Sequence, residues 1–449
     1  MEKFMQWLNE KLTPIANFCG TQRHLSAMQK GFMTMVGFIL VSAIFMIIAN
    51  PPVSADMIAE GGFWSIFSGW YDFATTYKLT ILIPFNMTMG MLSVIASFAI
   101  AYHLSDSYKM SSMNSGLTSM ILFMMTAAPA NYYALADGNV LSGISMTYLG
   151  AQGLFTAIIV SLVSVEVTRL CKKYKLTIRL PESVPPFLSE TFSSVIPMLI
   201  NILIFFGGNL LIQNFDPTLS IPSLIEQVLG APLSNLVNSY PGSLVICFAI
   251  LFFWCLGIHG NMIVMPFTTP VTMIVFANNA ALVAAGQPAQ FEPIMLTMAI
   301  NLLGGTGNTL SFVLLSLKAE SQQLRAFGKA AIIPSVCRIS EPAIFGAPIV
   351  YNPILMIPFI LGGMVSALLY WLVCSTGLVI PMYLMVTGTF PIFINSFIKC
   401  LDFKMIIFEA VLIPILGVIW YPFFKIYDKN LLNEEIKNKE IAEQELANA

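Results

Sequence analysis

Runs of apolar residues recur along this chain at about the length of a bilayer span, ~20 residues, with short polar segments between them. They lie near 31–50, 79–104, 115–135, 149–170, 190–214, 241–258, 262–285, 293–317, 328–350, 353–375, 379–399 and 405–424. Two of the twelve are poor helices. The run 328–350 carries Lys329, Pro334, Arg338, Glu341, Pro342, Gly346 and Pro348, and 379–399 is broken by Pro381, Gly388 and Pro391. Broken backbone at membrane depth is tolerated only beside protein or a water-lined cavity. Both runs are therefore read as re-entrant, which leaves about ten true spans, the other ten runs each counted as one helix; twelve remains the alternative. The fold class is an all-α polytopic membrane protein with re-entrant hairpins and interfacial amphipathic helices.

Two further segments are polar enough to stay outside the bilayer core. Residues 51–78 hold Pro51-Pro52 and the aromatics Phe63, Trp64, Phe67, Trp70 and Tyr71, an outer loop with an interfacial helix. Residues 220–238 place Leu224, Val228 and Leu229 on one helical face. This segment reads as an amphipathic connector between two halves. The division is 1–214, a connector at 215–240, 241–425, and a charged tail at 426–449.

Lys and Arg mark cytoplasmic loops. Lys3, Lys11, Arg23 and Lys30 precede the first span. Arg169, Lys172, Lys173, Lys175 and Arg179 mark a second inside loop, and Lys318, Arg325 and Lys329 a third. Lys425, Lys429, Lys437 and Lys439 place the tail inside, and no Lys or Arg occurs from 180 to 317. Both termini are expected on the cytoplasmic side of the membrane.

Composition agrees. The chain of 449 residues is 57% hydrophobic and 10% charged, where soluble domains carry about 25% charged residues. A net charge of −2 gives no electrostatic case for nucleic acid. The segment Met1–Lys11 lacks the apolar core of a signal peptide, so the first span is expected to do the targeting. Seven cysteines (Cys19, Cys171, Cys247, Cys255, Cys337, Cys374 and Cys400) form no CxxC pair and read as packing residues. No metal-ligand spacing or cofactor motif appears.

Ionisable residues inside apolar runs are functional candidates, because an unpaired charge facing lipid costs ~2.5–3.5 kcal/mol on insertion scales. Gly257-Ile258-His259-Gly260 and Arg338-Ile339-Ser340-Glu341-Pro342 stand out. The glycines beside His259 allow a ligand close to backbone. Trp254 offers a face on which the C–H face of a sugar ring stacks, or it is ordinary packing. Glu341 can accept hydrogen bonds from hydroxyls or act as a general base. Arg338 is spaced to pair with it in a helical turn, so a structural ion pair is the competing reading. Glu166 is read as snorkelling to the interface and Glu409 as structural. Gly304-Gly305-Thr306-Gly307-Asn308 is a bent, cavity-lining backbone rather than a phosphate loop, since it lacks the Gly-Lys-Ser/Thr ending. Asn86-Met87-Thr88-Met89-Gly90 is a further polar break.

The His259 and Glu341 motifs, with Ile344-Phe345-Gly346, resemble the sugar-translocating IIC permeases of the bacterial phosphoenolpyruvate-dependent phosphotransferase system. The lactose/cellobiose/diacetylchitobiose branch is the most similar. Lys30-Gly31-Phe32, Arg179-Leu180-Pro181-Glu182-Ser183-Val184-Pro185 and Asn352-Pro353 add to the resemblance, which runs to about residue 425. One departure is Ser340, where the family often has Asn. The resemblance implies a homodimer, with the first half at its interface and the second half holding a β-linked disaccharide. It implies that His259 and Glu341 are catalytic and touch the sugar, with Trp254, Asn86 and Arg338 as further contacts. The phosphoryl donor would be a separate IIB protein carrying a phosphocysteine; the chain would carry no phosphorylated residue of its own. An ion-coupled secondary sugar transporter, with Glu341 as ion site, is the other reading of the same residues.

The loop assignment is checked by single-cysteine labelling of an otherwise cysteine-free chain in oriented vesicles. Positions 172, 173, 318 and 325 are expected to react from the cytoplasmic side, and the 51–78 and 215–240 segments from outside. Labelling of position 325 from outside breaks the assignment.

Overall fold

The computed structural model describes residue 18 and residues 21–134, 139–181, 183–386 and 390–447. Lys3, Lys11, Cys19 and Glu182 lie outside the described residues. The fold is built of helices. Among the described residues, six are long and apolar enough to span a bilayer: Arg23–Ala49, Ala151–Lys173, Leu188–Phe215, Gly260–Ala284, Pro353–Ser375 and Phe403–Gln444. Two bent pairs bring this to eight if each is one span. Ile83–Met89 and Leu92–Ser107 meet at 42°, and Ile221–Val237 and Tyr240–Cys255 at 69°.

Three apolar runs are less regular than their hydropathy. The run 115–135 leaves helix at Ala127, just before Pro129, and Ala130–Ala134 pairs antiparallel with Val140–Ile144. The residue before a proline is biased out of helix, which explains the early stop. The run 293–317 is not one helix. Leu296–Ala299 and Leu310–Ser316 flank a turn in which Gly304, Gly305 and Gly307 have φ of +84°, +81° and +81° and Asn308 has +52°. Right-handed helix cannot pass through such residues. In 379–399 the only helix described starts at Ile394 and ends at Cys400; Tyr383 and Leu384 instead donate their N–H groups to the Lys399 carbonyl at 2.9 and 3.0 Å.

The chain forms two compact units. Among the described residues, one takes 18–236 together with Met265–Ala284; the other takes Val237–Val264 and the chain from Ala285 onward. In the first, Leu92–Ser107 packs against Arg23–Ala49, Ser112–Ala127 and Leu154–Lys173. Small residues set this packing. A Cβ on Gly31 would lie 2.5 Å from Ile100, so two helix backbones approach closely there. Buried hydroxyl pairs Ser97–Ser119 and Ser105–Ser115, at 2.9 and 2.8 Å, join the helices. Glu166 does more than snorkel: it accepts from Tyr108 Oη at 2.6 Å, His24 Nε2 at 3.1 Å and Arg169 Nη2 at 2.6 Å.

In the second unit, Tyr240–Cys255, Pro353–Ser375 and the C-terminal helix Phe403–Ala447 surround the broken segments. Phe312 stacks on Trp420 at 4.7 Å. The tail continues as helix through the charged stretch, and it clasps the start of another helix, Gln322–Val336. Asp428 accepts the N–H groups of Glu320 and Ser321 at 2.9 Å each. Glu435 accepts those of Gln322 and Gln323 at 3.1 and 2.8 Å and the Ser321 hydroxyl at 2.6 Å. A helix start leaves orphan N–H donors and a positive dipole end, and two carboxylates answer both.

Replacing both carboxylates, Asp428→Asn with Glu435→Gln, removes charge-assisted bonds of ~1.5–3 kcal/mol each. Amide exchange at 320–324 is expected to quicken at least about tenfold, with the core of Pro353–Ser375 unchanged. Hydrogen-exchange mass spectrometry checks this, and unchanged exchange at 320–324 refutes the clasp.

Candidate functional site

Tyr240–Cys255 ends because Gly257, at φ +75°, reverses the chain after Leu256. His259 follows on the reversal and Gly260 opens the next helix. A Cβ at Gly260 would sit 2.2 Å from the Ile250 carbonyl oxygen, so only glycine fits this return. The turn brings the His259 ring to 4.4 Å from that of Trp254, and Phe345 meets Trp254 edge-on at 6.1 Å. Trp254 Nε1 and His259 Nδ1 are buried and have no hydrogen-bond partner among the described residues. Buried polar atoms are nearly always partnered, so such atoms call for an explanation.

Glu341 arrives from the other side of the same unit. Gln322–Val336 ends, Arg338 takes a left-handed conformation at φ +63°, and Glu341 opens the short helix Glu341–Gly346. Glu341 is exposed while Ala343 and Ile344 behind it are buried. His259 lies within electrostatic reach of Glu341. The expected pairing of Arg338 with Glu341 in a helical turn is not what forms. The left-handed backbone at Arg338 takes the residue out of helix. Its Nε donates to the Asn301 carbonyl at 3.0 Å, and its acidic neighbour is Glu409.

The glycine turn joins the two motifs. A Cβ on Gly305 would lie 2.7 Å from the Arg338 carbonyl oxygen and 2.8 Å from Ser340 N. Asn261 Nδ2 donates to Thr306 Oγ1 at 3.3 Å, and that hydroxyl donates to Asn301 Oδ1 at 2.7 Å. Asn301 is the residue whose carbonyl holds Arg338. A second tie runs through Tyr351, whose N–H donates to the Cys255 carbonyl at 3.0 Å and whose hydroxyl donates to that of Leu256 at 2.8 Å. His259, Trp254, Glu341 and Arg338 thus belong to one braced framework. Asn86 belongs to the other unit, exposed on Ile83–Met89. Sequence reasoning missed Asn261, Asn301 and Tyr351, since each is an ordinary polar residue, Asn301 inside the 293–317 run and the other two in the short gaps between runs.

A model of the family described as "Phosphotransferase system, EIIC" matches residues 29–363. The lichenan permease IIC component of Bacillus subtilis (strain 168) is 32% identical, over 97% of this chain and 96% of its own length. The lactose-specific EIICB component of Lacticaseibacillus casei is 32% identical over 97% of this chain, which spans 73% of that protein. Among solved structures, ChbC, the IIC component from the N,N'-diacetylchitobiose-specific phosphotransferase system, matches with a TM-score of 0.85 and 29% identity. The match covers 96% of this chain and 99% of that one.

Gly305→Ala tests the brace. It places a side chain at positive φ, which costs ~1–2 kcal/mol before any clash, and drives it into the Arg338–Ser340 backbone. The variant is expected to melt lower than wild type and to bind sugar at least about tenfold more weakly. Wild-type binding, read by calorimetry on detergent-purified protein, refutes a tight packing of these two segments.

Proposed function

Because this chain belongs to the phosphotransferase-system EIIC sugar permeases of the lactose, cellobiose and diacetylchitobiose type, we propose that it imports a β-linked disaccharide and presents it to a separate, phosphorylated IIB protein. The observation that carries this reading is the bracing of the His259 and Glu341 motifs around buried, unpartnered polar atoms at Trp254 and His259. A sugar supplies what such a place needs. Its hydroxyls satisfy Trp254 Nε1 and His259 Nδ1, and its C–H face stacks on the indole.

The chemistry follows from where the carboxylate lies. Glu341 accepts the hydrogen bond of the sugar hydroxyl, with His259 beside it. The hydroxyl oxygen attacks phosphorus of the donor's phosphocysteine, the S–P bond breaks, and the hydroxyl proton passes to Glu341. Arg338 stands three residues away as the cation of the loop. Once Glu341 has given that proton up to water, the product's phosphate dianion lies next to a carboxylate, and this repulsion favours release. The half formed by 1–214 serves as the homodimer interface and 241–425 as the sugar half, with both termini cytoplasmic.

The test is transport into wild-type and Glu341→Gln proteoliposomes with cellobiose, diacetylchitobiose and lactose, with a phosphorylated IIB inside. Wild type is expected to deliver sugar phosphate for at least one of these sugars and to need no ion gradient. Free sugar that follows a proton or sodium gradient instead identifies an ion-coupled transporter. Glu341→Gln is expected to slow phosphorylation at least about tenfold, the low end for loss of a general base, with folding intact. A wild-type rate in Glu341→Gln removes Glu341 from the chemistry.

A further inference from the structure

The loop that carries Glu341 is backed by a charged cluster for which sugar binding gives no use. Glu409 is fully buried and Lys399 is 5% exposed. Arg338, Lys399 and Glu409 all lie within electrostatic reach of one another. Removing one member of such a buried set leaves an uncompensated charge, so the three residues depend on one another.

What Glu409 holds is strained backbone. Its carboxylate accepts the N–H of Phe393 at 2.7 Å and the hydroxyl of Ser396. Phe393 sits at φ +68°, ψ −55°, and Ile394 N–H closes back on the Ile392 carbonyl at 2.8 Å. This is the rare, strained form of the γ-turn. A bulky aromatic residue adopts it only where its surroundings enforce it. The turn is in turn fastened to the Glu341 loop. Ile392 N–H donates to the carbonyl of Val336, the last residue of Gln322–Val336, at 2.9 Å. Arg338 comes two residues later and Glu341 five. Glu409 therefore reaches the loop twice, through Phe393 and Ile392 to Val336, and by charge onto Arg338.

We propose that Glu409, with Lys399 beside it, is a positioning residue that fixes the orientation of Glu341 by holding the 391–396 turn against the end of the Gln322–Val336 helix. It acts through Val336 and Arg338 and has no contact with sugar. The proposal rests on Glu341 acting at the sugar hydroxyl, as argued above.

The experiment uses full-length Glu409→Gln, and a double variant, Lys399→Met with Glu409→Leu, that removes one charge of each sign and so leaves the net charge of the cluster unchanged, with Arg338 still on the Asn301 carbonyl. Each is reconstituted with phosphorylated IIB and whichever of cellobiose, diacetylchitobiose and lactose wild type phosphorylates. Glu409→Gln is expected to lower kcat about tenfold to a hundredfold, the scale of a misplaced reacting group, while KM stays within about threefold. Amide exchange at 337–345 and 391–397 is expected to quicken, with the rest of the chain unchanged. The double variant is expected to recover the melting temperature and stay slow, because Leu accepts no hydrogen bond from Phe393.

Wild-type kcat in Glu409→Gln overturns the proposal. So does recovery of kcat in the double variant, or faster exchange throughout the protein, which marks a purely structural pair. If Glu341→Gln itself keeps a wild-type rate, the failure belongs to the role of Glu341. The exchange measurement then still decides whether Glu409 holds the loop, and unchanged exchange at 337–345 overturns that too.

Discussion

Backbone that leaves helix inside an apolar protein must find partners for every N–H and C=O it exposes. The turn at Gly304–Asn308 meets part of this demand from its own residues. Leu303 N–H donates to Asn308 Oδ1 at 2.8 Å, Asn308 Nδ2 to the Ala299 carbonyl at 2.9 Å, and Gly307 N–H to that of Ile300 at 2.9 Å. Thr309 Oγ1 takes up the Gly304 carbonyl at 2.9 Å. A turn held in this way can press its bare glycine backbone on another segment. It does so at Gly305, against Arg338 and Ser340. The His259 motif and the Glu341 motif owe their shared framework to that contact, since Asn261 and Arg338 both reach it through Thr306 and Asn301.

The candidate site was legible in the sequence to the extent that charge and glycine mark it. His259 and Glu341 stood out because ionisable groups in apolar runs are costly, and Gly257, Gly260 and Gly305 because helix breakers sit beside them. The helical periodicity rule failed at Arg338. Spacing of three implies pairing only if the backbone between is helical, and a left-handed residue there sends the guanidinium to Asn301 and towards Glu409 instead. Glu409 was read as structural from its place near the end of an apolar run. Depth in the sequence is not depth in the structure, and this carboxylate is fully buried. Lys399 escaped notice because a lysine at the end of an apolar run normally snorkels outward, whereas a broken segment folds it back inside.

Fold was legible at the same grain. Hydropathy located the apolar runs and so the class of protein. It treated 293–317 as one span, because average hydropathy does not register three glycines at positive φ. It also carried 115–135 past Pro129 into a hairpin. The broken character of 328–350 and 379–399 was visible only because prolines and charges coincide there, where composition and conformation carry the same message.

A permease that couples uptake to phosphorylation has to hold its sugar firmly and then let go. A rigid framework serves the first requirement, because hydroxyl, carboxylate and donor phosphorus must align to within fractions of an ångström. The position of Glu341 serves the second. Its neighbours Ala343 and Ile344 are buried and fix the loop, while Glu341 itself is exposed. In the role proposed for it, that carboxylate would attract a neutral hydroxyl before transfer. After transfer, with the proton passed on to solvent, it would repel a phosphate dianion. One carboxylate would then serve first as a binding group and later as a releasing group with no movement of its own, because the substrate's charge is what changes. Rigidity and release are then compatible, and the loop behind Glu341 can be braced as tightly as the hydrogen bonds of Asn301, Val336 and Glu409 allow.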